Sequence, residues 1–127
     1  MTDSYLVDTE VLIDFLRGNK KAISFINSHC SRIIISSIVV AELYAGVKSE
    51  TERKTINNFI SLFRIIPINT EIAKAGGLYK SQYGKSHGVG LADAILAATA
   101  QKENAKLKTL NIKHYPMLKE LKPAYKK

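Results

Sequence analysis

Four side chains that could bind a metal ion stand far apart along the chain: Asp8, Glu42, Asp93 and Asn111. Each follows a predicted strand or lies on the helix that leaves one. In open α/β sheets the ligand crevice lies beyond the carboxyl ends of the strands, so we expect the four side chains to converge there. Three carboxylates in one place repel one another, which raises their pKa values unless a cation neutralises them.

The ligand types predict both the ion and its chemistry. Carboxylate oxygens without a nearby His or Cys favour Mg²⁺ or Mn²⁺ over zinc. We expect Asp8, Glu42 and Asp93 to hold the ion and Asn111 to complete the catalytic set. The Thr9 hydroxyl lies beside Asp8 in the sequence and is expected to support the site. An ion held in this way activates water and stabilises charge on a phosphoryl oxygen.

Each residue taken singly has a simpler interpretation. Asp8 can cap the helix that begins at the next residue, and Asp93 suits the start of its helix electrostatically. Asn111 is an ordinary turn residue. Glu42 can be a surface glutamate, but its helix is otherwise apolar or aromatic, which predicts a carboxylate among apolar side chains that is costly to desolvate. The prediction of a site rests on convergence.

Strands and helices alternate along the sequence. Apolar runs predict strands over residues 5–7, 33–35, 65–67 and 107–110. Helical spacing and capping residues predict helices from residue 9 to near 18, over 22–29, from a cap at Ser36 or Ser37 to Gly46, over 50–63, from a Thr70 cap to about 83, from 91 to about 103, and near 115, with 84–90 as a loop. This order indicates an α/β three-layer sandwich, a central mostly parallel sheet flanked by helices.

Length and composition indicate a single domain over residues 1–127. The chain is 46% hydrophobic and 24% charged, as in ordinary globular proteins. One cysteine, Cys30, cannot form an internal disulfide and suits a reducing compartment, so we expect a cytoplasmic protein. Its neighbour His29 is interpreted as structural. The longest apolar stretch, residues 33–41, is too short to span a membrane. An acidic N-terminal region argues against a secretory signal. The segment from residue 119 to residue 127 is basic, and its last few residues are predicted to fray.

The positive net charge points to polyanions. A charge of +8 attracts nucleic acid first, although a lysine-rich surface that keeps a protein in solution has the same charge. Candidate RNA contacts near the predicted crevice are Lys85, His87, Lys108, Lys113 and His114. Tyr79 and Tyr83, four residues apart on one predicted helix, are interpreted as core or dimer contacts.

Four segments, residues 6–18, 37–46, 91–100 and 109–111, resemble the PIN domain, specifically the VapC-like toxin ribonucleases of bacterial and archaeal toxin–antitoxin pairs. They occur in the family's order and cover almost the full chain. The resemblance implies a parallel sheet between helices and RNA cleavage that depends on Mg²⁺ or Mn²⁺. It maps the family's acids onto Asp8, Glu42 and Asp93, with Asn111 in the fourth position and Thr109 as a supporting hydroxyl. It also implies a homodimer and a cognate VapB-like antitoxin, whose C-terminal segment places a basic side chain in the acidic pocket.

The sequence departs from the family pattern at three positions. Glu10 stands where Ser, Asn or Asp is usual, and we interpret it as facing solvent rather than adding a ligand through water. Asn111 replaces an acid, and His114 stands where many relatives carry another acid. Less negative charge then remains for a second metal, so we expect one tightly held ion and a second that arrives with substrate.

The leading hypothesis is therefore an endoribonuclease toxin. Two alternatives stay open. Asn111 and Glu10 are compatible with a catalytically weak PIN-like module that binds a partner protein. The same acids could also serve a metal-dependent nuclease or phosphatase with another substrate, since a fold does not fix a substrate.

Overall fold

A computed structural model, which describes residues 3–126, contains a central sheet of four short parallel strands. The strands are β1 (Tyr5–Val7), β2 (Ile33–Ser36), β3 (Arg64–Ile66) and β4 (Lys106–Lys108), in the order β3-β2-β1-β4. All three pairings are parallel, and β1 lies between β2 and β4. The predicted parallel sheet is confirmed.

The connections between these strands determine where a ligand can bind. Within residues 3–126 the α helices are α1 (Thr9–Leu16), α2 (Lys20–His29), α3 (Ser37–Ala45), α4 (Glu50–Ile60), α5 (Thr70–His87) and α6 (Leu91–Lys102). The chain runs from β1 through β2 to β3 and then returns to the other side of β1 to form β4. Because crossovers between parallel strands are right-handed, this reversal places the α5–α6 connection on the opposite face from the first two. The three-layer sandwich is confirmed, and its crevice is expected beyond the carboxyl ends of β1 and β4.

The two inner strands are almost wholly buried. Leu6 and Val7 of β1 are fully inaccessible, and all four residues of β2 are buried, including Ser36. Strands covered on both faces need continuous apolar side chains rather than alternation, which the run of isoleucines in β2 supplies. The core around this sheet holds Asp8, the residue that follows β1, in a fixed position.

The beginnings of α3 and α5 are set by capping side chains. Ser36, rather than Ser37, caps α3: its hydroxyl accepts a hydrogen bond from the Ile38 N–H at 3.2 Å. The prediction that Thr70 caps α5 is wrong, because Asn69 takes that role by accepting from the Ile72 N–H at 2.9 Å. Asparagine is at least as good a cap as threonine, so the helix gains one residue at this end.

Several predicted boundaries shift. The predicted loop over residues 84–90 is wrong in its first half, since α5 continues to His87 and ends at Gly88, whose φ of 64° is in the left-handed region. A glycine at the C-terminus of a helix adopts this conformation without strain. Helix α4 ends at Ile60 rather than residue 63, yet the Phe63 ring still packs on Phe59, with ring centroids 5.2 Å apart. Helical spacing predicted that contact correctly while overestimating the length of the helix.

The strand boundaries shift by one or two residues. Strand β3 begins and ends one residue earlier than predicted, and β4 covers residues 106–108 rather than 107–110. The basic C-terminal segment is packed rather than frayed over residues 123–125: the Ala124 N–H donates to the Thr109 carbonyl at 2.9 Å and the Tyr125 hydroxyl donates to Asp14 Oδ2 at 2.7 Å. Lys127 lies outside the described residues. No helix within residues 3–126 is long and apolar enough to cross a membrane.

Helices α5 and α6 pack closely at one glycine. A Cβ atom at Gly76 would lie 2.8 Å from the Cγ1 atom of Ile95 and 2.9 Å from its Cα. These separations are shorter than real Cβ contacts, so any side chain at this position must push the two helices apart. A Cβ atom at the neighbouring Gly77 would have no other atom within 4 Å.

The pair Gly76 and Gly77 tests this packing directly. Gly77→Ala is expected to raise the free energy of unfolding by about 1 kcal/mol through helix propensity. Gly76→Ala has the same propensity gain but is expected to lower stability overall, because overpacking costs about 1–3 kcal/mol. Chemical denaturation of both variants provides the measurement, and equal effects would contradict the close approach of α5 and α6.

Candidate active site

Asp8 is fixed at the carboxyl end of β1 by three donors. Its Oδ1 accepts from the Thr9 N–H at 2.7 Å, and its Oδ2 accepts from the Thr109 and Tyr115 hydroxyls, both at 2.8 Å. The carboxylate is 9% exposed. Asp8 is therefore both the cap of α1 and a residue of the crevice, with one oxygen used for each. The two interpretations of the sequence are compatible.

Glu42 is connected to Asp8 through Thr9. The Thr9 hydroxyl donates to Glu42 Oε1 at 2.7 Å. The prediction that apolar side chains surround Glu42 is wrong, because Ala41, Glu42 and Ala45 form an exposed face of α3. Alanine counts as apolar in a sequence pattern but is small enough to remain at a surface. Glu42 therefore has no large desolvation cost to offset.

Asp93 lies in the first turn of α6 and is partly buried. Its Oδ1 accepts from the Tyr115 hydroxyl at 3.1 Å, and its Oδ2 lies 3.3 Å from Nδ1 of His114. The helix begins after Gly90, which makes no side-chain cap. Asp93 supplies the favourable negative charge at this helix start while it points to Asp8.

Tyr115 joins the two acids and was not predicted from the sequence. Its hydroxyl oxygen contacts Asp8 and Asp93, and its side chain is 1% exposed. The only sequence-level sign is that a tyrosine, rather than a phenylalanine, follows the last predicted strand, since a buried tyrosine needs a partner for its hydroxyl.

Asn111 and Glu10 form a pair at the edge of the site. The Asn111 Nδ2 donates to Glu10 Oε2 at 2.9 Å, and the Asn111 N–H donates to the Thr109 hydroxyl at 3.1 Å. Glu10 is exposed, as predicted, but it is also hydrogen-bonded. With its nitrogen on Glu10, the Asn111 side chain has only its oxygen to offer to a cation.

The electrostatics of the site reflect burial and crowding. Burial raises the pKa of Asp93 above its ordinary value, and the negative charge of Asp8 adds to this effect, while the Tyr115 hydrogen bond and His114 oppose it. The pKa of Tyr115 is raised far above its ordinary value by burial and by the two carboxylates, so its hydroxyl remains a neutral donor. Bringing two acids together at a partly buried position therefore favours the protonated form of Asp93 more than water does.

The candidate RNA contacts occupy different surroundings. His114 contacts Asp93, and Lys113 is exposed beside it in a short 3₁₀ turn, Ile112–His114. Lys85 and His87 are exposed on the last turn of α5, rather than in the predicted loop. Lys108 instead packs its ammonium group 4.5 Å above the centroid of the Tyr5 ring.

His29, Tyr79 and Tyr83 lie outside the site and pack against other aromatic rings. His29 packs on Tyr5 and Phe25, with ring centroids 5.0 and 4.9 Å apart. Tyr79 and Tyr83 are partly buried and pack on each other, with centroids 6.4 Å apart. These contacts agree with the structural interpretation of His29. Tyr79 packs against the hydrophobic core, as predicted, while Tyr83 packs on Tyr79 and on the His87 ring.

The oxygen atoms of the site are chemically suited to a hard cation. In the structure, however, the carboxylates accept hydrogen bonds from N–H and O–H donors and do not surround one common point. Among residues 3–126, no group of three His, Cys, Asp or Glu side chains is arranged to hold a metal ion as it stands. Instead, Thr9 connects Glu42 to Asp8 through its hydroxyl and its backbone N–H, and the Tyr115 hydroxyl connects Asp8 to Asp93. The oxygen atoms are of the kind that Mg²⁺ or Mn²⁺ prefers, but Asp8, Glu42 and Asp93 would have to turn toward a common point to share an ion.

Comparison with known proteins agrees with this geometry. The PIN domain family model matches residues 5–115. Ribonuclease VapC10 of Mycobacterium tuberculosis is 37% identical over 123 residues, covering 94% of this chain and 92% of that protein. Ribonuclease VapC19 of the same species is 35% identical over 124 residues, covering 94% and 98%. A toxin–antitoxin complex from Klebsiella pneumoniae has a chain with a TM-score of 0.82 and 28% identity, covering 98% of this chain and 100% of that one.

These matches show that the chain belongs to the PIN-domain family. Within that family it is similar to the VapC ribonucleases, as the four sequence segments predicted.

The raised pKa of Asp93 predicts a dependence of stability on pH. The folded state binds the Asp93 proton more tightly than the unfolded chain, so stability is lost as pH rises from the ordinary value of 3.8 through the raised pKa. In EDTA, Asp93→Asn is expected to raise the free energy of unfolding near neutral pH by about 1.4 kcal/mol for each unit of the shift. This gain in the free energy of unfolding should vanish at pH values below 3.8, the ordinary pKa of the Asp93 carboxyl, because the carboxyl is then protonated in both states.

Urea denaturation at a series of pH values measures this difference. Asp3→Asn is the control, because Asp3 is exposed and forms a surface ion pair with Lys106 at 3.1 Å. Its loss is expected to cost less than about 1 kcal/mol. A gain for Asp93→Asn that does not change with pH would show that repulsion and burial do not act on this carboxylate.

Proposed function

We propose that this chain is a metal-dependent endoribonuclease, the toxin of a toxin–antitoxin pair, that hydrolyses RNA phosphodiester bonds with metal-activated water. The observation that carries the proposal is the meeting of Asp8 and Asp93 on one hydroxyl oxygen at the crevice between β1 and β4, with Glu42 connected to Asp8 through Thr9. The relatives named ribonuclease VapC support RNA as the substrate.

The proposed ligands of Mg²⁺ or Mn²⁺ are Asp8, Glu42 and Asp93, with the Asn111 oxygen in the fourth position. A bound divalent ion supplies a Lewis acid and lowers the pKa of water. The chain's own contribution is to orient the oxygens: Thr109 and the Thr9 N–H hold Asp8, and Glu10 holds the Asn111 amide. Since Asn111 is uncharged, we propose one tight ion and a second that arrives with substrate.

The charge distribution supports binding of RNA. The chain carries +8 overall, while its site is acidic. Lys85, His87, Lys113 and His114 are exposed and can meet phosphates, whereas Lys108 would first have to leave the Tyr5 ring. The acidic centre repels a phosphate unless a cation is present, so RNA and the metal ion are expected to bind cooperatively.

The proposed partners are a VapB-like antitoxin and a second copy of the chain. The solved neighbour from Klebsiella pneumoniae is described as a toxin–antitoxin complex. A basic side chain from an antitoxin would neutralise Asp8 and Asp93 in place of a metal ion. Leu78 on α5 is 70% exposed and Leu62 is 75% exposed, and large apolar side chains at a surface are available for contacts between subunits.

Metal-dependent cleavage of RNA tests the catalytic proposal. We expect purified protein to cut single-stranded RNA with Mg²⁺ or Mn²⁺ and to stop when EDTA is added. Asp8→Asn and Asp93→Asn should each reduce the rate more than about 100-fold, because even outer-shell partners of a metal cost 10–100-fold. Asp14→Asn is the control. Asp14 is 8% exposed, as buried as Asp8, but it accepts from the Tyr125 hydroxyl and is not a proposed metal ligand. Its loss should leave the rate within about threefold.

The substrate panel distinguishes the alternatives. Single-stranded DNA and small phosphate esters are assayed beside RNA, and faster turnover of either one would replace the ribonuclease proposal. Wild-type protein that binds a partner but cleaves none of these substrates with metal would favour the binding module.

Co-expression with the neighbouring reading frame tests the antitoxin proposal. If the adjacent short protein is the antitoxin, the two chains should copurify and the complex should cut RNA at least about tenfold more slowly than the free toxin, since a basic side chain competes with the metal for the acids. Replacing the basic residues in the partner's C-terminal segment with Gln should restore cleavage without separating the chains. A complex as active as the free protein would contradict inhibition at this site.

A further inference from the structure

We propose that Tyr115 is a positioning residue whose hydroxyl sets the spacing of Asp8 and Asp93 for the divalent ion. This inference rests on the proposed function. Within residues 3–126, the Tyr115 hydroxyl is the group shown to hydrogen-bond to both carboxylates, at 2.8 Å to Asp8 Oδ2 and 3.1 Å to Asp93 Oδ1. The two acids come from residues 85 positions apart in sequence, yet each lies one hydrogen-bond length from the same oxygen atom.

The Tyr115 hydroxyl has one hydrogen to share between the two carboxylates. A phenol has one O–H donor, so it can serve only one carboxylate at a time. Asp8 has other donors, the Thr109 hydroxyl and the Thr9 N–H, while Asp93 has His114. The shared hydroxyl therefore holds two carboxylates beside one point without neutralising either. That arrangement leaves charge for a cation to bind.

The hydroxyl is a fixed point because the rest of Tyr115 cannot move. The side chain is 1% exposed and belongs to the hydrophobic core. Its N–H donates to the Ile112 carbonyl at 3.1 Å, and its own carbonyl accepts from the Leu118 N–H at 3.0 Å. Phenylalanine would keep the ring and these backbone bonds and lose only the hydroxyl.

Without the hydroxyl, the two carboxylates repel each other with no common donor between them and are expected to rotate apart. A cation must then bring them back together before it binds, which weakens its affinity. Losses of groups that orient metal ligands typically cost 10–100-fold in affinity. The rate with metal bound should change little, because the bound cation then holds the two carboxylates that the hydroxyl otherwise orients.

Mn²⁺ binding to Tyr115→Phe tests the inference. The free-ion signal in electron paramagnetic resonance measures the dissociation constant in RNA-free protein. We expect it to rise 10–100-fold, and the Mn²⁺ concentration for half-maximal RNA cleavage to rise equally. Cleavage at saturating Mn²⁺ should stay within about threefold of wild type, since an orienting group acts mainly on ligand affinity.

Tyr125→Phe is the matched control. Its hydroxyl also donates to a carboxylate, Asp14 Oδ2 at 2.7 Å, but this carboxylate is not a proposed metal ligand. Its loss should leave Mn²⁺ affinity within about twofold, because no proposed ligand is touched. A Tyr115→Phe protein folded too weakly for direct titration is tested by the Mn²⁺ concentration at which its melting temperature rises, since ligand binding stabilises the folded state by mass action.

The outcomes separate the two proposals. Wild-type protein that neither binds Mn²⁺ nor cleaves RNA with it would remove the proposed function itself. Wild-type protein that binds Mn²⁺, together with Tyr115→Phe that binds it as tightly or more tightly, would overturn the positioning role alone. Equal weakening by Tyr125→Phe would show a general loss of stability instead.

Discussion

Repulsion between like charges is the constraint around which this molecule is organised. Asp8 and Asp93 are brought to one crevice by a sheet whose strand order reverses between β1 and β4. Hydroxyl and N–H donors hold the carboxylates there, and neutral donors orient negative charge without cancelling it. A lysine or arginine in the same place would form an ion pair and remove the affinity for a divalent ion. The fold thus keeps part of its charge unneutralised, which costs stability and is typical of functional sites.

The sequence is sufficient to predict a parallel sheet between helices and the position of Asp8 and Asp93 at its carboxyl edge, but not the order of the strands. Asp8 follows a continuous apolar strand, and Asp93 begins a helix whose alanines allow close packing, so both positions follow from periodicity and from the rule for parallel sheets. The parallel arrangement is set by local information of this kind. The pattern around Glu42 was misleading, because a helix that is apolar throughout gives no direction to its faces. Only the packing of α3 in the structure shows that Ala41 and Ala45 are exposed.

Residue patterns alone could not predict the contacts that hold the site together, because these contacts join residues about a hundred positions apart. The resemblance to the PIN domain gave Thr109 a supporting role but did not name its partner. Thr109 and Tyr115 both reach Asp8, and Asn111 reaches Glu10. No periodicity links such residues, and each has an ordinary role when viewed alone. The length of α5 was missed for a different reason: Gly84 suggests a break, yet a helix tolerates one glycine at a cost of about 1 kcal/mol when its neighbours favour continuation. The true end at Gly88 uses the left-handed conformation that the earlier glycine does not adopt.

The segment around Ala124 is connected to the acidic crevice by hydrogen bonds through Thr109. Thr109 uses its carbonyl to accept from the Ala124 N–H and its hydroxyl to hold Asp8. A change of backbone position at Ala124 would therefore act on the same residue that orients a proposed ligand. Deleting residues 123–127 would remove the hydrogen bond to the Thr109 carbonyl but none of the proposed metal ligands. A loss of activity in such a protein would therefore report on the position of Thr109 and not on a missing catalytic group.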